Sequence, residues 1–254
     1  MALLTDGNPN DTEALRVFET EILSVARVET IDLLAKLDLA TREVSYEVID
    51  ILLDRAADPR AGLRRVLGVS DVVVTPQMRR WHALHTLKVV YRDAYNNQLN
   101  DRYRKKWQEY RFLSGEAREQ TVHFGIGLVS QPIPRGSLPV FSSLPALSPS
   151  TVYYVQMNWV AASGQQGSPS LMTTFQTPEG STLVVEAGTA PAGATGWNVF
   201  VGLTDTNITQ QNLAPLALAG SFVIPETGLI AGPAPSEGQV PDTFVTAGRT
   251  VRRG

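Results

Sequence analysis

The sequence of 254 residues contains no cysteine. Disulfide bonds, thiolate ligands for a metal and a cysteine nucleophile are therefore excluded. The first residues lack a basic segment followed by a long apolar run, and no later stretch approaches the roughly 20 apolar residues that span a bilayer. These absences predict a protein without a membrane segment that is made and used in a reducing cytoplasm.

Charge is scarce in the second half of the chain. Residues 136–254 hold 3 basic and 6 acidic side chains, whereas residues 1–135 hold 19 of each sign, and together they account for the net charge of −3. Binding to a phosphate backbone needs a surplus of Lys and Arg that displaces counterions, so this balance argues against general affinity for nucleic acid. The contrast between the halves, in a chain longer than most single domains, predicts two domains.

The first half has helical periodicity. Asp11 or Thr12 can cap a first helix. A second helix is predicted from near Thr30 or Asp32 to about Ala57. Short helices at this spacing are typical of a bundle.

The stretch from Trp81 to Tyr110 is rich in Trp, Tyr and Arg. Its aromatic and apolar positions recur at three- and four-residue steps, which predicts one long helix that begins at Thr75-Pro76 and continues through Leu113. Such a rod would be roughly 60 Å long at 1.5 Å per residue. Protein interfaces are enriched in Trp, Tyr and Arg, so the pattern favours an assembly surface. The alternative is that these aromatic residues fill an internal core.

The second half has the period of two that is typical of strands. A linker rich in Pro and Ser is predicted first. Four β-rich runs follow, separated by Gly, Pro and Ser turns: residues 152–162, 171–177, 181–187 and 196–202. This pattern predicts a small antiparallel sandwich in which Val155, Met157 and Trp159 face the core and Asn158 lies on the opposite face.

The predicted fold class is therefore α+β and multidomain, with an N-terminal helical bundle containing one long helix, a β-sandwich and an extended C-terminal tail. The predicted domains are a helical domain at 1–125, a linker at 126–150, a sandwich at 151–224 and an extended docking arm at 225–254. The arm contains four prolines, which exclude a long helix. Its apolar anchors and basic end are predicted to dock on a partner. The docking residues are Ile230, Val240, Phe244, Val245, Arg249, Arg252 and Arg253.

Patterns that carry chemistry are weak. Gly125 and Gly127 lack the third glycine of a nucleotide-binding turn. His82 and His85 lie three residues apart, but no carboxylate at ligand spacing accompanies them, so core or interface histidines are the favoured interpretation. No Gly-x-Ser-x-Gly elbow and no plausible Ser, His and Asp arrangement is found. We therefore expect no catalytic residues, no metal site and no cofactor.

One charge pattern on the second helix is more specific. Four carboxylates follow a four-three-four spacing that places them on one face, and a basic cluster lies near the end of the predicted rod. The stripe is either a solvated face, or a surface that meets the basic cluster of a neighbouring copy, or a set of catalytic carboxylates. We expect the second arrangement to make a subunit interface. Its residues are Glu43, Glu47, Asp50, Asp54, Arg102, Arg104, Lys105, Trp107 and Tyr110.

The order of these features resembles the neck proteins of tailed bacteriophages. Residues 25–44 and 72–110 resemble the head-to-tail connector, or adaptor, proteins. Residues 153–170 and 194–202 resemble the fibronectin type III or immunoglobulin-like modules that phage virion proteins often append. The resemblance covers roughly residues 12–245 and consists of packing and turn patterns. Simpler adaptors lack the β module, so a position farther down the neck or tail is left open.

The resemblance implies a homo-oligomeric ring, usually of twelve copies, in the virion neck. Its partners would be the portal protein, the tail or nozzle proteins, and the genomic DNA that passes through the lumen during ejection. The alternative is a tail or surface module that binds a carbohydrate or receptor. Tyr153, Tyr154, Trp159 or Trp197 would then supply exposed stacking platforms. A hydrolase is the third and weakest possibility.

Overall fold

The computed structural model describes residues 1–57, 67–98, 101–246 and 250–252, except the side chains of 55–57, 98 and 250–252. Contacts divide the chain into two compact units. The helical unit comprises residues 4–130 and 241–254, and the β unit comprises residues 1–3 and 131–240. The protein is therefore mixed α+β, as the sequence predicts.

Helices make up most of the described part of the helical unit. They are α1 (Thr12–Phe18), α2 (Ile22–Val28), α3 (Leu33–Ala57), α4 (Pro76–Gln98) and α5 (Arg104–Phe124), with 3₁₀ turns at Leu4–Asp6 and Val69–Asp71. The predicted caps form: the Asp11 carboxylate accepts the Ala14 N–H at 2.8 Å, and the Asp32 carboxylate accepts the Leu34 N–H at 2.9 Å. Side chains that satisfy otherwise unpaired N–H groups explain why α1 and α3 begin where they do.

The prediction of one long rod is wrong. The chain turns at residues 101–103, and α5 runs back along α4. The rings of Tyr91 and Tyr110 stack with centroids 5.3 Å apart, and those of Tyr95 and Trp107 stack at 5.8 Å. In one straight helix, Tyr91 and Tyr110 would lie about 28 Å apart. Residues 96–101 are rich in Asn and Asp, whose short polar side chains compete for backbone hydrogen bonds and weaken a helix.

The C-terminal segment contributes to the helical unit. Strand β1 (Ile126–Leu128) pairs with β9 (Thr243–Val245), and β9 pairs with β10 (Thr250–Arg252), all antiparallel. Val245 is fully buried in the same apolar cluster as the helices. The prediction of an arm that docks on a partner is therefore wrong for residues 243–245, because these residues pair with β1 of their own chain.

The β unit contains two antiparallel sheets. The strands are β2 (Val140–Pro145), β3 (Val152–Ala161), β4 (Thr173–Gln176), β5 (Ser181–Glu186), β6 (Ala194–Gly202), β7 (Thr209–Gln210) and β8 (Ser221–Val223). One sheet has the order β2-β5-β8 and the other the order β4-β3-β6-β7. Each of the four predicted β-rich runs contains a strand.

Apolar side chains from both sheets share one buried cluster in the β unit. Val155, Met157 and Trp159 of β3 are buried in it, as predicted, together with Leu183 and Val185 of β5. The alternation of side chains along a strand brings the members of each set to one face. The β unit therefore has its own core.

Asn158 alternates with Met157 and Trp159 and lies on the face opposite that core, as predicted, and it is itself buried. Its carboxamide oxygen accepts a hydrogen bond from Asn198 at 3.2 Å, and the Asn198 oxygen accepts one from Asn212 at 2.8 Å. The Asn158 amide donates to Gln166 at 3.0 Å. This chain of amides satisfies polar groups that would otherwise be costly to bury.

The observed unit boundaries also differ from the predicted ones. The segment 126–150, predicted to be a linker, contains β1 and β2, and β2 pairs with β5 along its whole length. Proline and serine favour a connector, but Pro145 is tolerated as the last residue of β2 because β2 is an edge strand. The β unit is thus an insertion in the sequence of the helical unit.

The buried position of Val245 leads to a test of the C-terminal strand. We expect Val245→Ala to lower the free energy of unfolding by about 2 kcal/mol, since it removes two buried methyl groups and leaves a small void. Urea unfolding followed by far-UV circular dichroism measures this loss. The matched control is Val240→Ala, at a side chain that is 45% exposed, which should cost under about 0.5 kcal/mol. Equal losses in the two variants would contradict a core role for β9.

Candidate functional site

Helix α4 is buried on all sides over much of its length. Every residue from Trp81 to Val90 is buried except Lys88, which is partly exposed. Polar side chains are included in this stretch, and a buried polar group is costly unless it is hydrogen-bonded. The buried polar side chains of α4 and their contacts are therefore the candidate functional site of the helical unit.

His82 is held by three elements. Asn10 donates to its Nδ1 at 2.9 Å, while its Nε2 lies 2.9 Å from the Thr41 hydroxyl and 3.3 Å from the carbonyl oxygen of Leu37. A ring that accepts at Nδ1 and donates at Nε2 is neutral. Burial lowers the pKa of His82 to about 4. Its role is structural, because each ring nitrogen already has a partner.

His85, one turn further along α4, contacts three polar side chains. Its Nε2 donates to the Glu43 carboxylate at 2.5 Å. The Ser114 hydroxyl lies 3.4 Å from Nδ1, and the Lys88 ammonium lies 3.2 Å from the same nitrogen. Burial lowers the pKa of His85, Glu43 acts in the opposite direction, and Lys88 lowers it further.

Ser114, His85 and Glu43 have the residue types of a hydrolase triad, an arrangement that the sequence analysis did not find. The three residues come from three different helices and are far apart in the sequence, so no local pattern could reveal them. A general base at His85 would have to become positively charged beside the Lys88 ammonium, which opposes that charge. The geometry therefore favours a network that orients Lys88 over one that activates Ser114.

A cavity of about 280 Å³ opens beside this network. Its lining carries the cationic side chains of Lys88, Arg92, Arg111 and Arg118 and one carboxylate, that of Glu47. Burial lowers the pKa of Lys88, the carboxylates of Glu43 and Glu47 act in the opposite direction, and Arg92 and Arg111 lower it further. The cavity is thus a cationic pocket formed by α3, α4 and α5.

The four carboxylates of the predicted acidic stripe have different surroundings. Glu43 is bonded to His85, and Glu47 pairs with Arg118 of α5. Asp50 and Asp54 are exposed. The first half of the stripe is therefore already used inside the subunit, and only the second half presents free surface to a partner.

The predicted basic residues lie at the start of α5. Arg102, Arg104 and Lys105 are exposed. The Arg102 guanidinium lies 5.1 Å from the centre of the Tyr103 ring, and Arg104 is 3.5 Å from Asp101. The structure does not bring these residues to the acidic stripe of the same chain.

Trp107 and Tyr110, which were expected to be buried only in an assembly, pack within the subunit. Tyr110 is buried, and its hydroxyl donates to the Glu19 carboxylate at 2.8 Å. Lys106 also reaches Glu19, at 2.7 Å. Burial alone would raise the pKa of Glu19, but these two hydrogen bonds outweigh it and the pKa is lowered. Tyr110 is buried within the subunit because the chain forms a hairpin of α4 and α5 in place of the predicted single helix. The hairpin places the Tyr110 ring against that of Tyr91.

The predicted docking residues are divided between the two units. Ile230 and Val240 belong to the β unit and are partly exposed, at 38% and 45%. The Ile230 N–H donates to Gln211 at 2.9 Å, so this part of the segment is tied to its own chain. Phe244 and Val245 lie in β9. Arg252 is in β10 with its side chain undescribed, and Arg249 and Arg253 lie outside the described residues.

Two helix faces expose large apolar side chains beside charged residues, a feature that helical periodicity alone did not predict. On α3, Tyr46 and Leu53 are 69% and 55% exposed beside Asp50 and Asp54. On α5, Phe112 is 65% exposed, and Lys105 lies two turns before it on the same face. The exposed carboxylates of Glu109 and Glu116 lie nearer to Phe112, three residues before it and four after it. We name these the acidic face of α3 and the mixed-charge face of α5.

Two of the four proposed carbohydrate platforms are ruled out by burial. Trp159 is 1% exposed and Trp197 is fully buried, so neither can stack on a sugar. Their indoles fill the core of the β unit.

Within the described ranges, no group of three His, Asp or Glu side chains is arranged to hold a metal ion. No helix in that part of the chain is both long enough and apolar enough to cross a membrane. No family model matches the sequence, and no curated protein is significantly similar to it.

The buried neutral His82 predicts a pH dependence of stability. Its pKa is about 4 when folded, against about 6.5 in an unfolded chain, so the unfolded state binds the proton first. The stabilisation is complete above pH 6.5 and is lost as the pH falls from there towards 4, by roughly 3 kcal/mol in total. Urea unfolding between pH 4 and 7 measures it. His82→Gln should flatten this slope, while His123→Gln at an exposed histidine is the matched control. An unchanged slope in His82→Gln would contradict the assignment.

Proposed function

We propose that this chain is a structural subunit of a closed ring in the neck of a tailed-bacteriophage virion, where it joins the portal of the DNA-filled head to the tail. The observation that carries the proposal is the pair of exposed faces on α3 and α5. Each face combines apolar surface with charge: carboxylates on α3, and on α5 the cations Arg104 and Lys105, with Glu109 and Glu116 nearer to Phe112. Two different, complementary surfaces on one subunit make a head-to-tail contact, which closes into a ring when the rotation between neighbours is suitable.

The apolar groups would supply affinity and the charges would set the register. Tyr46 and Leu53 would pack against Phe112 of the next copy, since buried aromatic and aliphatic anchors dominate interface energies. Asp50 and Asp54 would approach Arg104 and Lys105. Exposed pairs of this kind contribute only about 0.2–1 kcal/mol each but select the correct partner and steer the encounter.

The remaining features fit a role in the neck. Nineteen acidic residues balance the nineteen basic ones in residues 1–135, so a lumen built from this half would let DNA slide without holding its phosphates. The sheet orders β2-β5-β8 and β4-β3-β6-β7 over one shared core support the interpretation of the β unit as a fibronectin type III or immunoglobulin-like sandwich. In this proposal the ring contains about twelve copies by resemblance to phage adaptors, has no catalytic role, and contacts the portal on one side and a tail or nozzle protein on the other.

Charge reversal on the acidic face tests the ring. Asp50→Lys with Asp54→Lys should weaken self-association at least tenfold, because the reversed face would repel Arg104 and Lys105. Mass photometry and sedimentation velocity at low and moderate salt measure the effect, both for the purified chain and for the chain mixed with the portal of its phage.

The rescue partner is Arg104→Glu with Lys105→Glu, which should restore assembly in a mixture with the first variant. The matched control is Asp205→Lys with Glu226→Lys, two exposed carboxylates of the β unit. If the chain stays monomeric with and without portal, the ring is refuted. If the chain assembles and neither charge reversal weakens its self-association, the assigned faces are wrong.

A further inference from the structure

We infer that the cationic pocket of the helical unit binds a phosphate group, carried by free phosphate or by a small phosphate ester. The pocket is lined by Lys88, Arg92, Arg111 and Arg118 from two neighbouring helices. This inference is independent of the ring, because the pocket lies within one subunit.

Charge in the pocket is the first reason. Four cations face the cavity against one lining carboxylate, that of Glu47, and Glu47 is already paired with Arg118. Behind the lining, Glu43 is bonded to His85, and Asp93 pairs with Lys36 and also lies 3.9 Å from Arg92. The carboxylates nearest the pocket are therefore occupied. An unbalanced set of cations in a partly enclosed cavity favours a doubly charged anion.

The position of Lys88 is the second reason. This side chain is only partly exposed, and its ammonium lies 3.2 and 3.3 Å from the two ring nitrogens of His85. A neutral imidazole orients the ammonium but does not balance its charge. Glu43 and Glu47 favour its protonation, whereas Arg92 and Arg111 oppose it, and an anion beside these three cations would relieve their mutual repulsion. Guanidinium groups with an ammonium are the donors that proteins use for phosphate.

Gly115 is the third reason. It lies inside α5 and lines the pocket, and no atom lies within 4 Å of where its Cβ would be. Glycine is the least favourable residue after proline in a helix interior. Packing does not require it here, but any larger side chain would project into the open space. The glycine therefore keeps the cavity open at a cost to the helix.

Size supports a phosphate group with or without a small organic moiety. The cavity of about 280 Å³ is larger than a single phosphate ion, and Trp81 and Trp107 contribute apolar wall beside the cations. A nucleoside 5′-phosphate and free phosphate share the chemistry that the pocket recognises. The experiment must separate these two sources.

The test is isothermal titration of the full-length chain with inorganic phosphate and, separately, with deoxyadenosine 5′-phosphate. Potassium chloride keeps the ionic strength constant, so that screening does not imitate binding. We expect saturable binding of phosphate by the unmodified protein. A tenfold preference for the nucleotide identifies an ester as the source, whereas equal or weaker nucleotide binding identifies free phosphate.

Three variants locate the site. Arg111→Gln removes an exposed cation of the lining and should weaken phosphate binding at least tenfold. Gly115→Leu should raise the melting temperature without phosphate and abolish binding, since it favours the helix and fills the cavity. The matched control is Arg42→Gln, at an exposed arginine of α3 outside the lining, which should bind within twofold of the unmodified chain. Circular dichroism verifies that each variant is folded.

Several outcomes would overturn the inference. One is the absence of saturable phosphate binding above the chloride background. Another is unchanged binding in Gly115→Leu, or an equal loss in Arg42→Gln and Arg111→Gln. A third is that Arg111→Gln alters only the oligomeric state, which would mean that an acidic side chain of a second copy fills the pocket.

Discussion

Burial of α4 on all sides is the constraint on which the rest of the helical unit depends. A helix surrounded by protein must satisfy its polar side chains internally, because water cannot do so. The neighbouring elements meet this requirement: Asn10 and Thr41 bind His82, and Glu43 and Ser114 contact His85. These contacts tie the chain before α1 and the helices α3 and α5 to one central element. The polar network thus specifies which helices surround α4 as well as stabilising them.

The same constraint places the cationic pocket. Lys88 is the one partly exposed residue between Trp81 and Val90, so it marks where α4 approaches the surface. Its ammonium is too costly to bury without compensation, and the gap around it is lined by side chains of the two flanking helices. His85 holds Lys88 in place through a contact with neutral nitrogens. The buried hydrogen-bond network and the cationic pocket are therefore adjacent, and they share His85 and Lys88.

Local features were predictable from the sequence, and their arrangement in space was not. The caps at Asp11 and Asp32 and the four β-rich runs follow from short-range rules, since capping and alternation depend on neighbours in the chain. The hairpin of α4 and α5 does not follow from such rules. Aromatic residues recur at the same helical spacing in one long helix and in two antiparallel ones. The pocket was also unpredictable: its cations are spread over residues 88–118 and converge only once the chain has turned.

The hairpin also changes which surfaces are available for assembly. In a straight rod the stripe of Trp and Tyr would face outward and require a neighbour, but in the hairpin Tyr91 and Tyr110 cover each other. Tyr46, Leu53 and Phe112 are among the apolar groups that remain exposed in the described part of the helical unit, each close to charged side chains. In the proposed ring, a few apolar anchors within charged surroundings would form the contact between copies. Assembly would then depend on the outer faces of α3 and α5, while the aromatic residues that first suggested an interface hold the subunit itself together.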